Sequence, residues 1–117
     1  MIYHITSRRE WTEAQAKGEY VAPSLATEGF IHCSTISQVL SVANNFYKGQ
    51  SDLILLVIDE TLLSWTLKWE PPSGGAPPPG VAESEMFPHI FGAINLNAVI
   101  KTVDLESKDG SFVLPII

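Results

Sequence analysis

The chain has a single cysteine, Cys33, and few cations: Lys and Arg total 7 against 13 Asp and Glu, for a net charge of −6. A lone thiol can form no internal disulfide, which favours a reducing compartment. The opening residues Met1-Ile2-Tyr3-His4-Ile5-Thr6 show no basic region followed by an apolar stretch and a cleavage site, so a cytoplasmic location is expected. Apart from Arg8-Arg9 the cations are scattered, and no basic stripe can neutralise a phosphate backbone; long nucleic acid is not expected as a partner, although a single nucleotide or a nucleic-acid end could be held by backbone amides and a few side chains. No apolar run approaches the roughly 20 residues that a membrane span requires, so no membrane association is expected.

What is present is enough for one core. With 117 residues and 45% hydrophobic content, residues 1–117 are expected to form a single domain. The first six residues alternate, Tyr3 and Ile5 on one face and Ile2, His4 and Thr6 on the other, as in a half-buried strand. Ser7-Arg8-Arg9-Glu10 fits a capping box opening a helix over Arg8 to Lys17, with Gly18 as its left-handed end. A loop is expected through Pro23 and Gly29. Phe30 to Thr35 reads as a second strand, and Thr35-Ile36-Ser37-Gln38 as a second capping box. After it, Val39, Val42, Ala43, Phe46 and Tyr47 mark an amphipathic helix ending near Gly49. Leu53 to Ile58, apolar throughout and bounded by aspartates, predicts a central strand buried on both faces.

Glu60 to Leu63 predicts one helical turn, and Leu67 to Glu70 another strand. Residues 71–80 then hold five prolines and three glycines, and the segment 71–85 is expected to be an exposed loop, a lid or a solvent excursion. Phe87 to Gly92 resumes ordered structure, Val99 to Leu105 alternates, and a turn at Ser107 to Gly110 leads into a hairpin strand at Phe112 to Leu114. Two main helices and about six short strands without a regular βαβ rhythm predict an α+β fold, its sheet mixed but mostly antiparallel.

Three side chains stand out. His4, His32 and His89 each lie in a strand-like segment between apolar or small neighbours; each alone reads as a core histidine, yet together they point to a common polar pocket. Ser34 lies two residues from His32 and so on the same strand face. The start of the following helix offers free amides beside both, a place for a phosphate. Glu70 and Glu85 flank the Pro/Gly loop as general bases, as ribose-hydroxyl partners or as solvated carboxylates, with Trp69 and Phe87 beside them as stacking surfaces for a flat ligand or as core aromatics. No H-x-x-x-H or C-x-x-C pair marks a metal site. Cys33 points away from His32 along the strand and reads as a buried, inert thiol.

The segments Ile2-Tyr3-His4-Ile5-Thr6, Trp11, Glu28-Gly29-Phe30-Ile31-His32-Cys33-Ser34, Ala43-Asn44-Asn45-Phe46-Tyr47, Trp69-Glu70 and Phe87-Pro88-His89-Ile90-Phe91-Gly92 together resemble the bacterial family called domain of unknown function 952, over nearly the whole chain. That family is in turn similar in fold to the ADP-ribosyltransferase-like group, which includes diphtheria-toxin-type enzymes and RNA 2′-phosphotransferases. The resemblance implies NAD or a related ribose-phosphate compound as ligand. His4, at the first-strand position, and Thr6 would hold a ribose hydroxyl or phosphate, and His32 and Ser34 a phosphate or nicotinamide. His89 with Glu85 or Glu70 would serve as the acid–base group. The glutamate of the family's third motif is matched only by Glu85, upstream of His89. Two alternatives stand beside an ADP-ribosyl- or phosphotransferase: a noncatalytic small-molecule-binding protein and a metal-dependent hydrolase.

Overall fold

In the computed structural model, which describes residues 1–72, 82 and 85–117, β1 (Ile2–Ser7) runs directly into α1 (Arg8–Lys17). Ser7 Oγ accepts from the Glu10 amide at 3.1 Å and donates to the Glu10 carboxylate at 3.0 Å. The capping box therefore closes side chain to side chain, since Ser7 is also the last residue of β1, in register with Leu53. Gly18, at φ 100°, ends the helix. After β2 (Glu19–Tyr20), the expected loop through Pro23 and Gly29 is instead a short helix, α2 (Pro23–Glu28). Proline at its first position and Gly29 at φ 88° are start and stop signals of this helix, not breakers of order.

β3 (Ile31–His32) is shorter than expected, and α3 (Val39–Phe46) begins later. Only half of the second capping box forms: Gln38 Oε1 accepts from the Thr35 amide at 3.0 Å, while the Thr35 hydroxyl turns to Ser37 Oγ at 3.1 Å. Next in chain order are β4 (Leu53–Ile58), a 3₁₀ turn (Glu60–Leu62), β5 (Leu67–Glu70), β6 (Phe87–Ile90) and β7 (Ile94–Asn95). The described chain closes with β8 (Val99–Leu105), β9 (Ser107–Lys108) and β10 (Ser111–Phe112). Asp109 (φ 53°) and Gly110 (φ 84°) form the left-handed pair that a tight two-residue hairpin between β9 and β10 demands.

The apolar run of β4 is central, as its composition predicts. It pairs antiparallel with β1 on one side and β8 on the other, and all six of its residues are buried. Ile54, Leu56 and Ile58 enter one core with Ile2, Ile31, Ile90 and Ala14, whereas Leu53 and Leu55 enter a second with Ile5, Phe112 and the α3 residues Val39 and Ala43. Burying each of these large side chains stabilises the fold by about 1.5–3 kcal/mol, so β4 anchors both cores at once.

A second three-stranded sheet, in the order β3-β6-β5, packs Ile31 and Ile90 against the first core. The two sheets join at one point, where Tyr3 and Ser34 exchange backbone hydrogen bonds of 2.9 and 2.8 Å along the free edge of β1. Every strand pairing among the described residues is antiparallel, where a mixed sheet was expected. The reason lies in the connections: each helix links strands of different sheets, so none acts as a crossover between parallel neighbours. No helix among the described residues is long and apolar enough to cross a membrane. The expected lid lies outside the described residues, except for Pro71, Pro72, Ala82 and Glu85.

Gly92 follows β6 closely and serves as a flat seat for Trp65: a Cβ built there would fall 2.0 Å from Trp65 Cγ. Gly92→Ala must displace the indole. It is expected to lower stability by about 1–2 kcal/mol in urea unfolding. In a Trp65→Ala background the same substitution should cost almost nothing; an equal cost there would refute the seat.

Candidate functional site

The register of the second sheet decides which polar side chains meet. β3 pairs with β6 so that Ile31 faces Ile90 and His32 faces His89; β5 pairs with β6 so that Lys68 faces His89 and Glu70 faces Phe87. Because paired residues share a face and alternate residues change face, Ile31, Ile90 and Leu67 point into the first core. His32, His89, Glu70 and Phe87 thereby share the opposite face. A one-residue slip would exchange the two sets.

On that face His89 is almost fully buried. Its ring is stacked on Phe30 at 4.1 Å and 11°, and its Nδ1 lies 2.8 Å from Glu70 Oε1. A carboxylate only accepts, so Nδ1 donates, and in the neutral form of the ring Nε2 is the acceptor. No described residue bonds Nε2. Yet among the described residues no buried side-chain nitrogen or oxygen lacks a partner, so Nε2 must reach an opening. That opening is a cavity of about 520 Å³, inside the size range of small-molecule sites. The His32 ring stands 5.4 Å from that of His89, edge to face, with its Nε2 donating to Glu28 Oε2 at 2.9 Å. Both imidazoles line the cavity, each backed by a carboxylate from another element.

The cavity crosses the seam between the sheets on the side away from the first core. Tyr3 and Ile5 of β1, Val42, Phe46 and Tyr47 at α3, and Phe87 supply its apolar walls; Glu28, His32, Ser34 and His89 form its polar end. The α3 stripe read as one apolar face is thus divided. Val39 and Ala43 enter the core, while Val42, Phe46 and Tyr47 line the cavity, and Phe46 remains 64% exposed. Among the described residues no lysine or arginine lines the cavity. Lys68 shares the face by register, but its Nζ sits over the Phe91 ring at 5.1 Å. Burial pushes the Cys33 thiol and the Tyr47 phenol upward, so both stay protonated at neutral pH, and the inert-thiol reading of Cys33 agrees with that direction.

His4 is not in this cavity. Alternation along β1 sends Tyr3 to the cavity side and His4 to the other, so His32 and His89 line the larger cavity while His4 and His32 line a smaller one, and neither takes all three histidines. His4 Nδ1 donates to the backbone carbonyl of His32, and Nε2 meets Tyr20 Oη at 2.8 Å, which in turn lies 3.1 Å from Thr6 Oγ1. Both ring nitrogens are therefore occupied. Burial pushes the His4 pKa down from 6.5 to about 4, against the opposing pull of the His32 carbonyl, and keeps the ring neutral. His4 and Thr6 border a smaller cavity of about 290 Å³, which shares Ile5, His32 and Tyr47 with the larger one, and His4 Nδ1 donates to the His32 carbonyl.

The other expected site residues divide. Ser34 lines the cavity and its hydroxyl has no partner among the described residues. Phe87 forms a wall, but Trp69 pairs with Pro88, lies on the opposite face and is 47% exposed, so the two do not sandwich a ligand. Glu85 does not line the cavity; its Oε2 accepts from Gln38 Nε2 at 2.9 Å. The buried Gln38 amide also donates to the Met86 carbonyl at 2.9 Å, and its oxygen accepts from the Thr35 amide at 3.0 Å, so one amide ahead of α3 is taken by the chain's own side chain. Sequence reading missed Glu28, Phe30 and Gln38. Each left only an indirect trace: Glu28 and Phe30 stand in the segment Glu28 to Ser34 that carries the family resemblance, and Gln38 in the second capping box.

These features define a small α+β domain with two three-stranded antiparallel sheets joined at an edge and a pair of carboxylate-backed histidines facing a mostly apolar cavity. The chain belongs to the family described as "Protein of unknown function (DUF952)", whose model matches residues 5–102. It is similar to protein CC0527 from Caulobacter crescentus. The crystal structure of that protein is 33% identical, with a TM-score of 0.80, covering 97% of this chain and 93% of that one. A double methionine variant of the same protein gives 32% identity, a TM-score of 0.79 and the same coverage of 97% and 93%. Its solution structure gives 31% and 0.75, covering 95% and 89%. No curated protein matches the chain. The family description and the solved relatives name no ligand or reaction.

Proposed function

We propose that the cavity binds a small ligand combining a flat ring with a ribose, NAD or a related nucleotide or nucleoside, and that His89 backed by Glu70 is the general base of a transfer or hydrolysis at that ribose. The observation that carries this reading is the His89 ring: one nitrogen held by Glu70 at 2.8 Å, the other open to a cavity of about 520 Å³. A carboxylate placed this way holds the imidazole's tautomer and orientation and stabilises the imidazolium that forms when the base takes a proton. Tyr3, Phe46, Tyr47 and Phe87 give a flat ring its stacking surfaces, and Ser34 offers a hydroxyl beside it. The resemblance to ADP-ribosyltransferase-like proteins supports the same ligand class by analogy of fold. His4 and Glu85, assigned by that resemblance to ribose binding and acid–base work, take supporting roles in this reading: His4 holds the His32 backbone, and Glu85 is tied to Gln38.

A noncatalytic binding protein would use the same cavity without turnover. A metal-dependent hydrolase has less to rest on, since no three His, Cys, Asp or Glu side chains converge among the described residues. A thermal-shift screen of wild type and His89→Asn against NAD, ADP-ribose and adenosine tests the proposal. A ligand at about 100 times its Kd adds about 2.7 kcal/mol to the native state, a rise of several degrees. At least one of the three should raise the wild-type melting temperature, and His89→Asn should reduce that rise. Identical flat responses from both proteins would sink the reading.

A further inference from the structure

Resting on the ribose-ligand reading of the cavity, we infer that His32 is a second acid–base group, acting as the proton donor to a leaving group, and that the site therefore acts on uncharged ribosides, nucleosides above all. Four observations carry this. The β3–β6 register projects His32 and His89 from the same face with ring centroids 5.4 Å apart. Each ring gives one nitrogen to a carboxylate, but the nitrogens are opposite ones: Nε2 of His32 to Glu28 at 2.9 Å, Nδ1 of His89 to Glu70 at 2.8 Å. His32 is thus left with Nδ1 and His89 with Nε2.

The environments differ as well. The His89 side chain is 3% exposed and that of His32 43%. Two chemically identical groups in unlike surroundings are how a site assigns opposite proton duties to a pair. Finally, the cavity pairs aromatic walls and the Glu28 carboxylate with no lining cation among the described residues. Such a lining favours a transition state that gains positive charge, as ribosyl C1 does when its bond to the leaving group stretches, over one that gathers negative charge on phosphoryl oxygens.

The step balances without a further reactant. Water gives a proton to His89 Nε2 as its oxygen bonds to ribosyl C1. The C1–N or C1–O bond breaks with its electron pair on the departing atom, and that atom takes the proton carried by His32 Nδ1. Exchange with solvent resets both rings. A leaving group that departs as a neutral ring or a stable anion needs no such donor, whereas a neutral purine does.

The test compares wild type, His32→Gln, Glu28→Gln and His89→Gln, each checked for a cooperative thermal melt, in hydrolysis of inosine and of p-nitrophenyl β-ribofuranoside. The inference expects His32→Gln to lose about 100-fold or more with inosine and only a few-fold with the nitrophenyl riboside, with Glu28→Gln, changed near the surface, showing the same selectivity more weakly. His89→Gln should lose both. Equal losses on the two substrates in His32→Gln, or none, would overturn it. Absence of turnover of either riboside by wild type would overturn it too. In that case an adenosine-induced shift in wild-type melting shows that the ligand reading survives, and its absence shows that both fall.

Discussion

Lowering the pH from 7 to 4 should cost the folded protein about 3 kcal/mol through His4 alone. The ring's pKa is pushed down from 6.5 to about 4 by burial, and each pH unit separating the folded from the unfolded value corresponds to about 1.4 kcal/mol. The sign follows from proton counting. Between these two values the unfolded chain holds the His4 proton and the folded chain does not, so the stability is fully present above pH 6.5 and drains away as the pH falls toward 4. The groups facing the ring do not reverse this: the His32 carbonyl and Glu10 favour the protonated ring and the charge of His32 disfavours it, but burial outweighs them all. Urea unfolding at half-unit intervals from pH 4 to 8 measures the slope. His4→Gln, which keeps an amide donor for the His32 carbonyl and an oxygen for Tyr20, should be less stable than wild type at pH 7 and lose most of that slope. If the slope survives intact in His4→Gln, the acid sensitivity belongs to another group.

At the site itself, removing the base should be the largest functional change. His89→Asn is expected to cut turnover of a riboside substrate by about 10²–10⁴-fold, the usual contribution of a positioned base. Glu70→Gln should lower kcat by a comparable order, because a glutamine amide donating to Nδ1 would leave the proton on Nε2, the tautomer that cannot accept. The two variants part in their response to binding. Glu70 is 38% exposed at its side chain, so Glu70→Gln should fold normally and retain the ligand-induced thermal shift. Steady-state kinetics with inosine beside the shift assay separates the effects: lost kcat with a retained shift supports a base, while lost shift with retained kcat contradicts it.

The contrast between His4 and His89 shows why histidines alone did not reveal the site. On sequence both look alike, a polar ring between apolar neighbours in a strand. Alternation along β1 placed His4 on the face of Ile2 and Thr6, and that reading agrees with the structure. What alternation cannot say is which face of one strand adjoins which face of another. Here Tyr3 and Ser34 join the sheets so that the cavity opens on the Tyr3 side, and His4 is left behind the seam with both nitrogens bonded. Glu70 and Glu85 pose the same question. They flank the Pro/Gly segment symmetrically, yet register sets Glu70 beside His89, and the Gln38 amide holds Glu85.

Local chemistry was legible wherever a few neighbouring residues suffice. Ser7 with Glu10 and Gly18 bound α1, the aspartate-bounded apolar run makes β4, and Asp109-Gly110 turns the last hairpin. The helix at Pro23–Glu28 was hidden because proline and glycine punctuate a loop and a short helix with the same letters, and only tertiary packing distinguishes the two. The α+β class and the doubly buried central strand follow from these local patterns, which act over a few residues and need no partner. The antiparallel joining of two sheets, the pairing of each histidine with its carboxylate and the cavity between them depend on contacts such as Tyr3 with Ser34, His32 with His89 and Glu70 with His89. Those contacts span 31, 57 and 19 positions of chain, and spacing along the sequence carries no record of which distant strands will meet.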